Sequence, residues 1–206
     1  MPNNHNTEDI LPLRRLCIFT MEDVMQESAT FSAKEWIAAS LISADRLKPE
    51  TLQAVESFNL MWNVFEGLVC DNSATISRLE KLSAEIVSRR RCKPQLERIF
   101  TYFKNRYYSR TGFTAHFEKL RLRSPDRKEF VQAVLQGKSA DFTSKVFTVL
   151  IILSRMRSNL FHGVKTLDIL NSQAANLSVA CRALATIIEA HGRHYKRTRY
   201  TEELTG

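Results

Sequence analysis

The run Phe142-Thr143-Ser144-Lys145-Val146-Phe147-Thr148-Val149-Leu150-Ile151-Ile152-Leu153-Ser154-Arg155-Met156-Arg157-Ser158-Asn159-Leu160-Phe161-His162-Gly163 sets the architecture of this chain. Within it Phe142, Val146, Val149, Leu153, Met156 and Leu160 recur at alternating steps of four and three. That spacing belongs to one buried face of an α-helix. It gives a helix from about Ser139 to Leu160 with its apolar stripe in a core. At roughly 100° per residue, Arg157 falls beside the stripe. Gly163 suits a left-handed cap that ends the helix. His162 then sits in the last turn, where the negative end of the helix dipole favours its protonated form.

Arg157 and His162 are a pair with chemical use. The guanidinium offers planar donors that match a phosphate. An imidazole both gives and takes a proton near neutral pH. The bland alternative is an Arg that caps the helix and a His exposed at its end. The whole run, rather than the two residues alone, tips the reading towards a site.

The segment Arg157-Ser158-Asn159-Leu160-Phe161-His162-Gly163 resembles the signature of the HEPN superfamily, all-helical proteins that are often RNases. That signature is an Arg, a polar residue, and a His after four to six intervening residues. Arg157, Ser158 and His162 match it with four between. Lys165 beyond the run also looks like the form common in bacterial members. Asn, Asp or His usually follows the Arg, where this chain has Ser158. Arg155 fits the spacing with six between, but Met156 follows it, so Arg157 is the first choice and Arg155 the second. The resemblance implies a metal-independent endoribonuclease and a homodimer with two motif helices near its two-fold axis. It also implies the setting of a growth-arresting toxin or antiphage effector, with an antitoxin or nucleotidyltransferase partner.

The chemistry expected of such a site needs no cofactor, because RNA carries its own nucleophile in the ribose 2′-OH. His162 acts as general base or general acid, and Arg157 holds the phosphate. Ser158 or Asn159 fixes the imidazole, and Lys165 adds a second phosphate contact. Cys17, Cys70, Cys92 and Cys181 are scattered, with no Cys-x-x-Cys pair and no metal-ligand spacing to a His. No phosphate-binding Gly loop, His-Glu-x-x-His run or Gly-x-Ser-x-Gly elbow is present in the sequence.

Working outward, the chain has few loop formers, six Gly and five Pro in 206 residues, and no segment of strand period. An all-helical bundle with up-and-down packing of its longer helices follows. Residues 1–48 read as an arm and a helical extension, 49–192 as the HEPN-like domain, and 193–206 as a basic, flexible tail. Pro49 and Glu50 open a helix in which Val55, Phe58, Trp62, Phe65 and Val69 form a core stripe. Asn59, Asn63 and Glu66 line another face; they read as solvated, or else Asn59 or Glu66 reaches the Arg157–His162 site. A helix beginning at Ser73 runs into Arg89-Arg90-Arg91. Pro94 opens the next, and a loop follows at Thr111 and Gly112. A short helix passes through Phe117 and Leu120. Asp126 caps a helix to about Gln136. The last helix or pair of helices ends at Gly192.

Charge is uneven. Residues 89–128 hold thirteen Lys or Arg against three acids, an excess of ten where the whole chain carries +8. Arg89, Arg90, Arg91, Lys93, Arg121 and Arg123 are the candidate RNA contacts. Phe100, Tyr102, Phe103, Tyr107, Tyr108, Phe113 and Phe117 are interleaved with them. Cations plus aromatics are what single-stranded RNA binding uses. For the aromatics taken alone, a place in the core is favoured.

Two other readings stay open. One is a non-catalytic HEPN module that dimerises, binds RNA or nucleotide and regulates a partner. The other is a basic protein at an anionic membrane surface, which the +8 charge suits; the apolar run from Val146 to Leu153 is too short to span a bilayer. The Asn-rich start with Glu8 and Asp9 does not read as a signal peptide, so a cytoplasmic protein is expected.

Overall fold

The computed structural model describes residue 35 and residues 48–88, 90–138, 141–161 and 170–192; the side chains of Arg90 and Phe161 fall outside it. The chain divides into two compact units, Met1–Ala44 and Asp45–Gly206. Apart from Glu35 and Lys48, the expected arm and extension over 1–48 lie outside the described residues. So does the tail, 193–206.

The described part of the second unit is all-helical apart from one tiny hairpin. Its helices are α1 (Pro49–Val69), α2 (Ile76–Val87), α3 (Lys93–Tyr107), α4 (Ala115–Glu118), α5 (Lys128–Leu135), α6 (Phe142–Phe161) and α7 (Ala174–His191). Two 3-10 turns, Arg90–Cys92 and Ser124–Asp126, lie between them.

Helix α6 organises the rest. Every residue from Val146 to Leu153 is buried, which is more than one face of a helix can supply. A helix that is apolar all round must be surrounded. Around it pack α2, α3 and α5, with α1 and α7 paired along their lengths. On α1 the buried set is Thr51, Ala54, Phe58, Trp62, Phe65 and Val69; Val55 of the expected stripe is half-buried. Of the expected α6 stripe, Val146, Val149, Leu153 and Met156 are buried, while Phe142 and Leu160 pack half-buried at its ends.

The start of α1 is fastened from far away. Pro49 and Glu50 sit in its first turn as expected, but Lys48 offers no side-chain cap. Asn171 supplies one instead. Its Oδ1 accepts from the Lys48 backbone N–H at 3.1 Å and from the Thr51 hydroxyl at 2.9 Å. This satisfies donors that the helix itself leaves open. At the other end, Arg78 Nη2 donates to Val69 O at 2.7 Å and Nη1 pairs with Glu85 at 2.8 Å. Gly192 closes α7 in the left-handed conformation at φ 67°, where a glycine is favoured.

Local boundaries differ from expectation in four places. The helix expected from Ser73 through Arg91 begins after Thr75, whose hydroxyl accepts from Arg78 N at 3.2 Å, and ends at Val87. There the Ser88 hydroxyl bonds back to Glu85 O at 2.7 Å, which competes with continuing the helix. Arg90 and Arg91 lie in a 3-10 turn instead. Asp126 does not cap the following helix; it closes its own turn onto Arg123. The short helix ends at Glu118, before Leu120. The loop at Thr111 and Gly112 is a hairpin pairing Tyr108 with Phe113 and Ser109 with Gly112, and Gly112 takes φ 115°.

Candidate functional site

Arg157 and Ser158 lie half-buried in the last turns of α6, which ends at Phe161. The Arg157 Nε is itself buried. His162, Gly163 and Lys165 lie outside the described residues. The structure therefore fixes where Arg157 stands and where the chain leaves for His162.

Arg155 and Asn159, one turn apart, face a different way. Arg155 Nε donates to Leu120 O at 3.4 Å, and Nη2 to Arg121 O at 3.2 Å and to Asn159 Oδ1 at 3.3 Å. Asn159 Nδ2 donates to Lys119 O at 3.2 Å and to Leu120 O at 2.9 Å. Asp126 completes the set. Its Oδ2 accepts from Arg123 N at 3.0 Å and Arg123 Nε at 3.3 Å, with Arg155 Nη1 at 3.6 Å. The side chains of Arg155 and Asp126 are each 12% exposed, too buried to meet a large polyanion. Arg155, the second choice for the catalytic Arg, is thus a structural residue of the loop. Asn159 is anchored on Lys119 O and Leu120 O, sharing the second with Arg155. Arg157 is two residues from each, so it points roughly 160° away from both around the helix.

Of the polar row on α1, Glu66 is engaged close to its own helix end. Glu66 Oε2 accepts from Trp62 Nε1 at 3.0 Å and Oε1 from Ala74 N at 3.3 Å, so its carboxylate staples the turn after α1. Asn59 is half-buried, with its Oδ1 buried and lacking a hydrogen-bond partner. Asn63 is exposed.

The basic tract divides. Arg91 and Lys93 are exposed at the start of α3, and Arg89 lies outside the described residues. Lys119, Arg121 and Arg123 are exposed in the loop beyond its far end. Fifteen residues of α3 separate the two groups, roughly 22 Å of helix. The interleaved aromatics are largely core: Phe100, Phe103, Tyr107 and Phe117 are buried, and Phe103 stacks on Tyr107 at 6.0 Å. Tyr102, Tyr108 and Phe113 are half-buried and pack against neighbouring rings.

Sequence reasoning gave Asp126 another role and passed over His116. Asp126 is the one acid among ten residues from Lys119 to Lys128, a signal that it is needed where it stands. His116, exposed beside this loop, has its pKa lowered from the ordinary 6.5 by desolvation first, then by the Arg106 and Lys119 charges. A His with a lowered folded pKa contributes stability above pH 6.5 that is lost as pH falls through the folded value. We expect the His116 ring protons to titrate below the unfolded value by NMR, and Lys119→Gln to move that midpoint upward. An unmoved midpoint in the variant would remove Lys119 as a cause.

Burial likewise pushes the Cys70 thiol up to about 11 despite the nearby Arg78, which leaves little thiolate at neutral pH. Among the described residues no three His, Cys, Asp or Glu stand together as a metal-holding group, and no helix is long and apolar enough to cross a membrane. No family model matches the chain, and no curated protein or solved structure matches it.

Proposed function

We propose that the chain is a metal-independent endoribonuclease of HEPN type, acting as a toxin or antiphage effector. The observation that carries this is the Arg157-Ser158-x-x-x-His162 run in the sequence, with Arg157 standing in the last turns of a helix whose middle is buried all round. Exposed cations at Arg91, Lys93, Arg121 and Arg123 support a polyanionic substrate.

In this reading the ribose 2′-OH attacks the adjacent phosphorus and the 5′-oxygen leaves. His162 takes the proton from the hydroxyl or gives one to the leaving oxygen. Arg157 holds the phosphate and stabilises charge growing on its non-bridging oxygens. Ser158 and Lys165 assist as polar neighbours. On one continuous helix Arg157 and His162 would point about 140° apart, five steps of about 100°. Two copies paired about a two-fold axis overcome this, because each can complete the other's site. An antitoxin or nucleotidyltransferase partner would restrain such an activity in the cell.

Purified protein incubated with total RNA should release fragments with 2′,3′-cyclic phosphate and 5′-hydroxyl ends. Cleavage should persist in EDTA and fail where the cut site is 2′-deoxy. Equal cutting of the deoxy substrate would end this mechanism. Light scattering should give a dimer at working concentration; a fully active monomer would end the composite site.

A second reading is a HEPN module that binds RNA without cutting it and regulates a partner. The engagement of Arg155 and Asn159 in loop packing favours it, since they leave fewer polar groups for chemistry beside Arg157. RNA binding with no new ends in the same assay would select it.

A further inference from the structure

We propose that residues 119–127 form a preshaped cradle for the phosphate backbone of single-stranded RNA, with Asp126, Arg155 and Asn159 as the buried residues that hold its shape. This rests on the RNA reading above and names the part of the surface that grips the substrate.

The loop is turned inside out relative to an ordinary basic segment. Its carbonyl oxygens at Lys119, Leu120 and Arg121 point inward, each bound by Arg155 or Asn159. Its apolar side chains, Leu120 and Leu122, are buried. Apart from Ser124 and Pro125, what remains outside is cationic: Lys119, Arg121, Arg123 and Arg127 are exposed, Arg123 at 70% of its side chain. Arg121 and Arg127 take left-handed backbone conformations, φ 52° and 58°. Non-glycine residues hold such values only when the surroundings impose them. At Arg121 the imposing group is identified: its carbonyl is held by Arg155, on the same helix that carries Arg157.

Asp126 makes the placement testable. It sits among cations, and a simple charge count says that removing it should strengthen binding to a polyanion. Its bonds to Arg123 and its approach to Arg155 say the reverse, because without them the loop loses the turn that presents Arg121 and Arg123 together. Fixing a binding surface beforehand lowers the ordering cost at association.

The experiment measures binding of the full chain to a fluorescent single-stranded RNA across a salt series, with anionic vesicles in parallel. Lys119→Gln, Arg121→Gln and Arg123→Gln together alter exposed side chains only and should leave the fold intact. They should weaken binding and flatten the slope of log K against log salt by about 2, at about 0.7 per contact on a single strand. Asp126→Asn should also weaken RNA binding although it removes a negative charge. Asn159→Leu, which changes no charge, should do the same, with circular dichroism confirming that both variants stay folded. Tighter or unchanged binding by folded Asp126→Asn overturns the shaping role. An unchanged affinity and slope in the triple variant overturns the cradle while leaving the nuclease reading intact. RNA binding that depends on the cradle without cleavage ends the nuclease reading alone. A wild-type protein that binds vesicles but no RNA overturns both.

Discussion

Replacing His162 with Ala should slow RNA cleavage by about 10²–10⁴-fold, the usual contribution of a positioned acid or base. Arg157→Ala should cost a comparable factor, because in the proposed mechanism it removes the cation facing the charge that grows in the transition state. The two effects should not add, since both residues serve one step. RNA binding should survive in both variants, carried by cations elsewhere on the surface. Arg155→Ala gives the internal contrast. It fits the same motif spacing, yet its guanidinium is bonded to Leu120 O, Arg121 O and Asn159. Its loss should therefore appear in stability and RNA affinity more than in the rate of the chemical step. Single-turnover kinetics at saturating RNA separate these outcomes. A wild-type rate in both His162→Ala and Arg157→Ala would dismiss the site.

Ile151→Ala is the substitution expected to damage the fold most. The side chain is fully buried at the middle of α6, with buried residues on every side of the helix. Truncation there loses the transfer energy of the removed groups and leaves a cavity that rigid neighbours cannot fill, about 2–5 kcal/mol in all. For a domain of this size each kcal/mol lowers the melting temperature by roughly 2–4 °C. Leu60→Ala is the control: Leu60 is 65% exposed, and the change should stay within about 0.5 kcal/mol. Calorimetry of the two variants would test whether α6 is the enclosed centre of the unit. A loss for Ile151→Ala no larger than for Leu60→Ala would deny it.

The helical class was legible because it rests on periodicity. The four-and-three spacing from Phe142 to Leu160 needs no partner to be read, and neither does the stripe from Phe58 to Val69. Pro49 and Gly192 mark ends for reasons internal to the backbone. What the sequence hid are bonds between distant residues. Nothing near Lys48 announces that Asn171 caps the first helix. The choice between Ser73 and Thr75 as a helix start turns on which hydroxyl reaches a particular N–H. Arg155 and Arg157 look interchangeable by spacing, and only the position of residues 119–126 makes one a tether. The sequence counts the cations of residues 89–128 but does not show that those at Arg91 and Lys93 and those at Lys119 to Arg123 stand at opposite ends of α3. The aromatics within it were better read as core, and Phe103, Tyr107 and Phe117 are buried there.

The pairing of α1 with α7 has a consequence for how the protein is made. The first described helix of the unit finds its main partner in the last, so Phe58, Trp62 and Phe65 must wait for residues up to His191. At ribosomal rates of 5–20 residues per second, that interval is roughly 6–25 s. During it a helix rich in aromatics has no permanent cover, and the distant pairing also slows closure of the chain once released. Such a protein gains from a chaperone at the exit tunnel.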